Sequence, residues 1–170
     1  GRRRCIQNMM HVTGGGEAEA KRLARRSFVN YLVYLVDFFR FVGTTTDEIE
    51  ARVVVPEALW ETLRAQQRGK GIVFMTMHFG NWDLGAAILA LQGFSISAIA
   101  DRFTSERLNR LIIGSRQHLG MKVIPVGHMG PGILRALRND DVVAMLVDIP
   151  QLDDGVRVQF FGATISVPEG

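Results

Sequence analysis

The feature that most constrains the fold is a largely apolar run of six residues that ends in a turn. Residues 72–77 follow Gly71, are rich in β-branched and aromatic side chains and lack the polar alternation of an exposed strand. They therefore predict a buried, central strand. Beyond the turn, apolar residues recur at helical spacing from Leu84 to Gly93, with Asp83 at the N-cap or in the first turn. The segment predicts a strand, a tight loop and a helix.

His78 is placed by this unit at the carboxyl end of the strand, and Asp83 at the start of the next helix. In open α/β sheets this edge binds ligands, because its loops carry polar groups while the strands stay fixed. A carboxylate five residues away can accept the proton of one imidazole nitrogen and leave the other nitrogen as a general base. The alternative is that His78 only ends a strand and Asp83 only caps a helix.

The rest of the chain alternates strands with helices. Strands are predicted at residues 51–55, 95–100, 122–126, 142–147, 156–161 and 163–167, and helices at residues 17–41, 57–67, 105–119 and 132–138. This order predicts an α/β fold: a mostly parallel central sheet with helices on both faces, and an N-terminal amphipathic helix.

Further polar residues follow the later strands. Asp101 and Arg102 come after the strand at 95–100, and Asp148 comes after the strand at 142–147. Because the carboxyl ends of parallel strands share one edge, these residues are expected near His78. Arg116 lies in the helix at 105–119, where it either points to the same edge or is an exposed helical charge.

The length of 170 residues and the 47% apolar content suit one globular domain. Cys5 is the only cysteine, so neither an intrachain disulfide nor a cysteine metal cluster is possible, and the four histidines lack paired metal-ligand spacing. No metal site is predicted. The chain starts at Gly1 without a methionine, which leads us to expect a fragment that lacks the N-terminal start of its domain.

Positive charge is concentrated in residues 1–26, where seven basic side chains outnumber two acidic ones, net +5. Such an arm either binds anionic lipid or nucleic acid, or is simply solvated. The predicted helix at residues 17–41 has an apolar part, residues 28–36, that is too short to span a bilayer, which needs about 20 apolar residues. It therefore either packs on the core or lies at a membrane surface, with Arg22, Arg25 and Arg26 on the headgroups.

The string His-Phe-Gly-Asn-Trp-Asp at residues 78–83 resembles the H-G-N-W-D/E block, an H-x4-D motif, of the lysophospholipid acyltransferase superfamily. The resemblance is to the branch of the lipid A biosynthesis and phosphatidylinositol mannoside acyltransferases. It extends over most of the chain, and because members of this family typically continue with further strands and helices, the resemblance implies that the C-terminal part of the domain is missing. The further matches are Asp101-Arg102, the R-x3-G segment from Arg116 to Gly120, Asp148, the V-x-F-F-G segment at residues 158–162 and the P-x-G segment at residues 168–170.

The resemblance implies transfer of a fatty acyl chain from a thioester donor to a hydroxyl of a membrane glycolipid. The donor would be acyl-CoA or acyl carrier protein, and no other cofactor, metal or nucleic acid would take part. His78, Asp83 and Arg116 would be catalytic, and Asn81, Asp101, Arg102 and Asp148 would bind substrate. The protein would lie at the cytoplasmic face of the bacterial inner membrane, bound to anionic lipid.

Two other functions are compatible with the same residues. A lipid hydrolase would use the His78–Asp83 pair on water, and a membrane-binding module without catalysis would need only the basic arm and the aromatic helix.

Overall fold

The structure is a computed structural model that describes residues 1–67, 69–101, 104–149 and 155–168. Its contacts divide the chain into two compact units, Gly1–Asp37 with Val147–Gly170, and Phe38–Leu146. The elements in chain order are α1 (Arg2–Val12), α2 (Glu17–Arg40), α3 (Thr46–Arg52), α4 (Glu57–Gln66), β1 (Ile72–Thr76), α5 (Trp82–Leu91), β2 (Ile96–Ala100), α6 (Glu106–His118), β3 (Met121–Pro125), α7 (Met129–Arg138), β4 (Val142–Leu146), β5 (Gly155–Phe160) and β6 (Ala163–Pro168).

The second unit is built on a four-stranded parallel sheet in the order β1-β4-β2-β3. The connections from β1 to β2 and from β2 to β3 step across the sheet in one direction, and the connection from β3 to β4 steps back. Because such crossovers are right-handed, α5 and α6 cover one face and α7 covers the other. The predicted α/β fold with helices on both faces is confirmed.

The core of this unit lies where α7 packs on the sheet. Val142 and Val143 of β4 are fully buried, and Ala136 of α7 packs with Val143 and Ile124. Gly71, just before β1, approaches the backbone at the end of α7 so closely that an added Cβ would lie 2.5 Å from the Leu137 Cα. A glycine is therefore required at this position by space rather than by backbone angles.

Two predictions about strands are wrong. Residues 51–55 form no strand: α3 continues to Arg52 and is begun by a capping box of Thr45 and Glu48, whose hydrogen bonds make helix the better local structure. β1 is an edge strand rather than a central one among the described strands, since only β4 pairs with it. Its side chains at Val73 and Met75 are 46% and 67% exposed.

The first unit contains α1, most of α2 and a β-hairpin. α1 is helical where the sequence predicted only a basic arm, and α2 agrees with the predicted N-terminal amphipathic helix. In the hairpin, β5 pairs antiparallel with β6, and Phe161 and Gly162 form the two-residue turn between them. Both turn residues have positive φ, and a turn of this kind has a twist that matches the right-handed twist of the two strands. No described helix is long and apolar enough to cross a bilayer.

A buried polar cluster joins the amino ends of three strands. Asp141 precedes β4 and is 2% exposed; it accepts a hydrogen bond from Ser97 Oγ at 2.7 Å and from Lys122 Nζ at 2.9 Å. Burial acts to raise the pKa of Asp141, but hydrogen bonds from Lys122, Ser97 and Ser95 and the Lys122 charge outweigh it and hold the pKa below its ordinary value.

We expect this cluster to make stability depend on pH under acidic conditions. Because the folded pKa of Asp141 is below its unfolded value, its stabilisation is complete above the unfolded pKa and is lost as the pH falls, progressively below about pH 5. Asp141→Asn should lower the free energy of unfolding at neutral pH by about 1–3 kcal/mol and weaken the acid dependence. Denaturant titrations at several pH values, with exposed Glu61→Gln as control, measure both effects. An unchanged acid dependence would contradict the role of Asp141.

Candidate active site

His78 lies in a tight turn just past the end of β1. The N–H of Phe79 donates to the carbonyl of Met77 at 2.7 Å, and Gly80 has a φ of 63°, a conformation that glycine adopts without strain. The His78 ring is exposed and meets the ring of Trp82 edge to face, with centroids 4.7 Å apart. The turn therefore presents the imidazole at the carboxyl edge of the sheet, as predicted from the sequence.

Asn81, rather than Asp83, caps α5. Its Oδ1 accepts a hydrogen bond from the N–H of Leu84 at 3.1 Å, which satisfies one of the donors at the start of the helix. The Nδ2 of Asn81 is buried and has no hydrogen-bond partner among the described residues. Asp83 lies in the first turn of α5 and is not its cap, so the reading of Asp83 as a simple helix cap is wrong.

Asp83 and Arg116 form a buried ion pair. Arg116 Nε donates to Asp83 Oδ1 at 2.8 Å, with the arginine side chain 14% exposed and the aspartate 2% exposed. The interpretation of Arg116 as an exposed helical charge is therefore wrong. Thirty-three residues separate the two partners in the sequence, and α6 brings the arginine to the start of α5. The hydrogen bond between His78 and Asp83 stays a prediction.

The structure does not show the remaining predicted site residues beside His78. Asp101 is exposed just after β2, and β4 lies between β2 and β1, which separates the two strand ends by about 10 Å. Arg102 lies outside the described residues. Asp148 belongs to the first compact unit, and its place near His78 stays a prediction. In the described part of the chain no group of three His, Cys, Asp or Glu side chains is arranged as metal ligands.

Trp82 is the residue that sequence reasoning missed. Its ring contacts the imidazole of His78 and so restricts the orientation of that ring. The available signal was its position: a tryptophan four residues after the histidine, at the first position of the helix, is close enough to reach back across the turn.

Comparison with known proteins covers almost the whole chain. Residues 1–169 match the family model described as bacterial lipid A biosynthesis acyltransferase. The chain is similar to a phosphatidylinositol mannoside acyltransferase of Mycolicibacterium smegmatis, 28% identical over 171 residues that cover 96% of this chain and 55% of the relative. It is also similar to a protein of that name from Mycobacterium tuberculosis, 32% identical over 106 residues, 60% of this chain and 34% of the relative. The chain thus spans about half the length, or less, of these relatives.

Proposed function

We propose, because this chain belongs to the family of bacterial lipid A biosynthesis acyltransferases, that it carries the site of an enzyme that transfers a fatty acyl chain to a membrane glycolipid. The donor is a thioester, acyl-CoA or acyl carrier protein. The acceptor is a hydroxyl of a phosphatidylinositol mannoside or of a lipid A precursor; the names of the curated relatives favour the first. The observation that carries the proposal is the buried Asp83–Arg116 pair beside the exposed His78.

In this mechanism His78 is the general base. Its unprotonated ring nitrogen takes the proton of the acceptor hydroxyl as that oxygen attacks the thioester carbonyl. The tetrahedral intermediate then expels the thiolate, which takes the proton back from the imidazolium, so that the products are an ester and a thiol. Asp83 holds the ring and stabilises its cation, as the aspartate of a Ser-His-Asp triad does.

Arg116 acts on this pair through Asp83. The 2.8 Å hydrogen bond fixes the carboxylate in an environment that is almost free of water. Since Arg116 bonds Asp83 through Nε, its terminal NH2 groups are the part that could meet the substrate oxyanion, as could the N–H groups of the turn at Gly80 and Asn81. One donor of that kind typically contributes about 3 kcal/mol. The buried Nδ2 of Asn81 supports a further hydrogen bond to substrate.

The direct test is an assay of the intact protein with acyl-CoA or acyl carrier protein and a phosphatidylinositol mannoside or lipid A precursor. Mass spectrometry should find acylated glycolipid in amounts equal to the thiol released. Free fatty acid without acylated lipid would instead support a lipid hydrolase. Vesicle binding with neither product would support a membrane-binding module.

We also propose that α2 lies on an anionic membrane and that the protein acts at the cytoplasmic face of that membrane. Seven large apolar side chains of α2 are more than 40% exposed: Phe28, Val29, Tyr31, Leu32, Val33, Val36 and Phe39. Arg25 and Arg26 lie within one turn of Phe28, the first of them, so the helix combines apolar and basic groups on one surface. That is the composition of a helix that lies in the interface plane.

Replacing Arg25 and Arg26 by glutamine is expected to weaken binding to anionic vesicles by roughly 30-fold, because each basic group near such a surface contributes about 1 kcal/mol. Co-sedimentation with vesicles of phosphatidylinositol and phosphatidylcholine at two salt concentrations measures this. The matched control replaces Arg107 and Arg110, two exposed arginines of α6. Equal losses in both double variants would indicate a general charge effect and remove α2 as the membrane-binding helix.

A further inference from the structure

A groove runs along β3 on the face of the sheet that α7 covers. Its volume is about 330 Å³, within the range of small-molecule sites. Its polar lining is contributed by Ser97, Lys122, His128, Arg135, Asn139 and Asp141. All of these belong to the second compact unit, and none is part of the proposed catalytic group.

The charge of this groove is positive. Asp141 is its only acidic lining residue among those described, and both carboxylate oxygens of Asp141 already accept from Lys122 Nζ, at 2.9 and 3.2 Å. Lys122 remains 58% exposed in its side chain. The side chains of Arg135 and His128 have no hydrogen-bond or ion-pair partner within the described ranges, and both residues are exposed. The groove therefore has more cationic hydrogen-bond donors than carboxylate acceptors to pair with them.

The groove runs along the whole of β3, and its charged lining is concentrated at the amino end of that strand. Lys122 is the second residue of β3, and Arg135 lies in the last turn of α7, which leads back to the amino end of β4. Asn139 and Asp141 also line the groove at this end, between α7 and β4. Pro125 and His128 line the opposite end, at the carboxyl end of β3.

We propose that the β3–α7 groove binds a phosphate group of a substrate, with Arg135 as its main ligand. A guanidinium matches phosphate oxygens with two parallel hydrogen bonds, which a lone ammonium cannot do. Asn139, which caps the carboxyl end of α7, and Lys122 supply further donors at the same end of the groove as Arg135. The identity of the phosphate carrier rests on the proposed acyl transfer: it is either the CoA of the donor or the phosphatidylinositol headgroup of the acceptor.

The distance to His78 agrees with a phosphate carried on an extended part of the substrate. β1 and β3 are at opposite edges of the sheet, three strand spacings or about 14 Å apart, and Arg135 lies near the amino ends of the strands while His78 follows the carboxyl end of β1, so the two are separated by roughly 19 Å. A phosphate in the groove would therefore contact no reacting atom. It would contribute equally to binding of the ground state and the transition state, and its loss should raise KM and leave kcat unchanged.

The test compares Arg135→Gln with Arg138→Gln. Both remove one exposed arginine of α7, but Arg138 does not line the groove. We expect Arg135→Gln to raise the KM of one substrate by about 10- to 100-fold, the range of a charged hydrogen bond, with kcat unchanged. A raised KM for acyl-CoA identifies the donor phosphate, and a raised KM for the lipid together with weaker binding to phosphatidylinositol vesicles identifies the headgroup. Arg138→Gln should change neither.

A binding measurement separates this proposal from the proposed function. Titration of CoA, of inositol phosphate and of inorganic phosphate into the intact protein, followed by phosphorus NMR or calorimetry, requires no turnover. Loss of binding in Arg135→Gln alone would support the phosphate site even if no acyl transfer were found. Identical KM values and identical phosphate binding in the two variants would overturn the site and leave the proposed function standing.

Discussion

Replacing His78 by alanine in the intact protein is expected to lower kcat for acyl transfer by about 10²- to 10⁴-fold. The acceptor hydroxyl cannot lose its proton to solvent fast enough once the positioned base is gone. Because His78 is exposed and lies in a surface turn rather than in the core, the variant should keep its fold and its KM values. Steady-state kinetics with a thermal unfolding curve for each variant measure both.

His11→Ala is the matched control, since His11 is an exposed histidine of α1 outside the proposed site. Its kcat should equal that of the unmodified protein. A folded His78→Ala protein with normal kcat would show that the reaction does not use this base, and the proposed mechanism would then be wrong even if the acylated product is formed.

Removing Arg116 should reduce both stability and catalysis. Arg116→Ala deprives a carboxylate that is 2% exposed of its guanidinium partner, and breaking a buried ion pair in this way costs about 3 kcal/mol in free energy of unfolding. We expect kcat to fall roughly a hundredfold with little change in KM, because Arg116 supports the transition state through Asp83 or through the oxyanion. Chemical denaturation and steady-state kinetics give the two values.

Two further variants make this prediction sharper. Arg110→Ala, an exposed arginine earlier in α6, controls for loss of a charge from the helix. In a double-mutant cycle, Asp83→Asn combined with Arg116→Ala should cost much less stability than the sum of the two single changes, since the pair couples directly. Additive losses would contradict a direct contact. A raised KM with unchanged kcat in Arg116→Lys would instead assign Arg116 to binding a substrate phosphate.

Local sequence patterns predicted most elements of the fold to within a few residues. β1 and α5 both appear where periodicity and turn residues placed them. The failures have a common cause. The β-branched residues 53–55 have the composition of a strand, but none of the described strands pairs with them. β-propensity expresses packing between strands rather than a backbone preference. The edge position of β1 likewise depends on which strands lie beside it.

The sequence by itself determined that a histidine ends a strand, that an aspartate begins the next helix, and that helices lie between parallel strands. These features depend on residues within one turn or one strand of each other. Only the tertiary structure decided that Arg116 pairs with Asp83, that β4 separates β1 from β2, and that Lys122, His128 and Arg135 share one groove. Contacts between residues far apart in the chain are set by how whole elements pack, and no local periodicity records that packing.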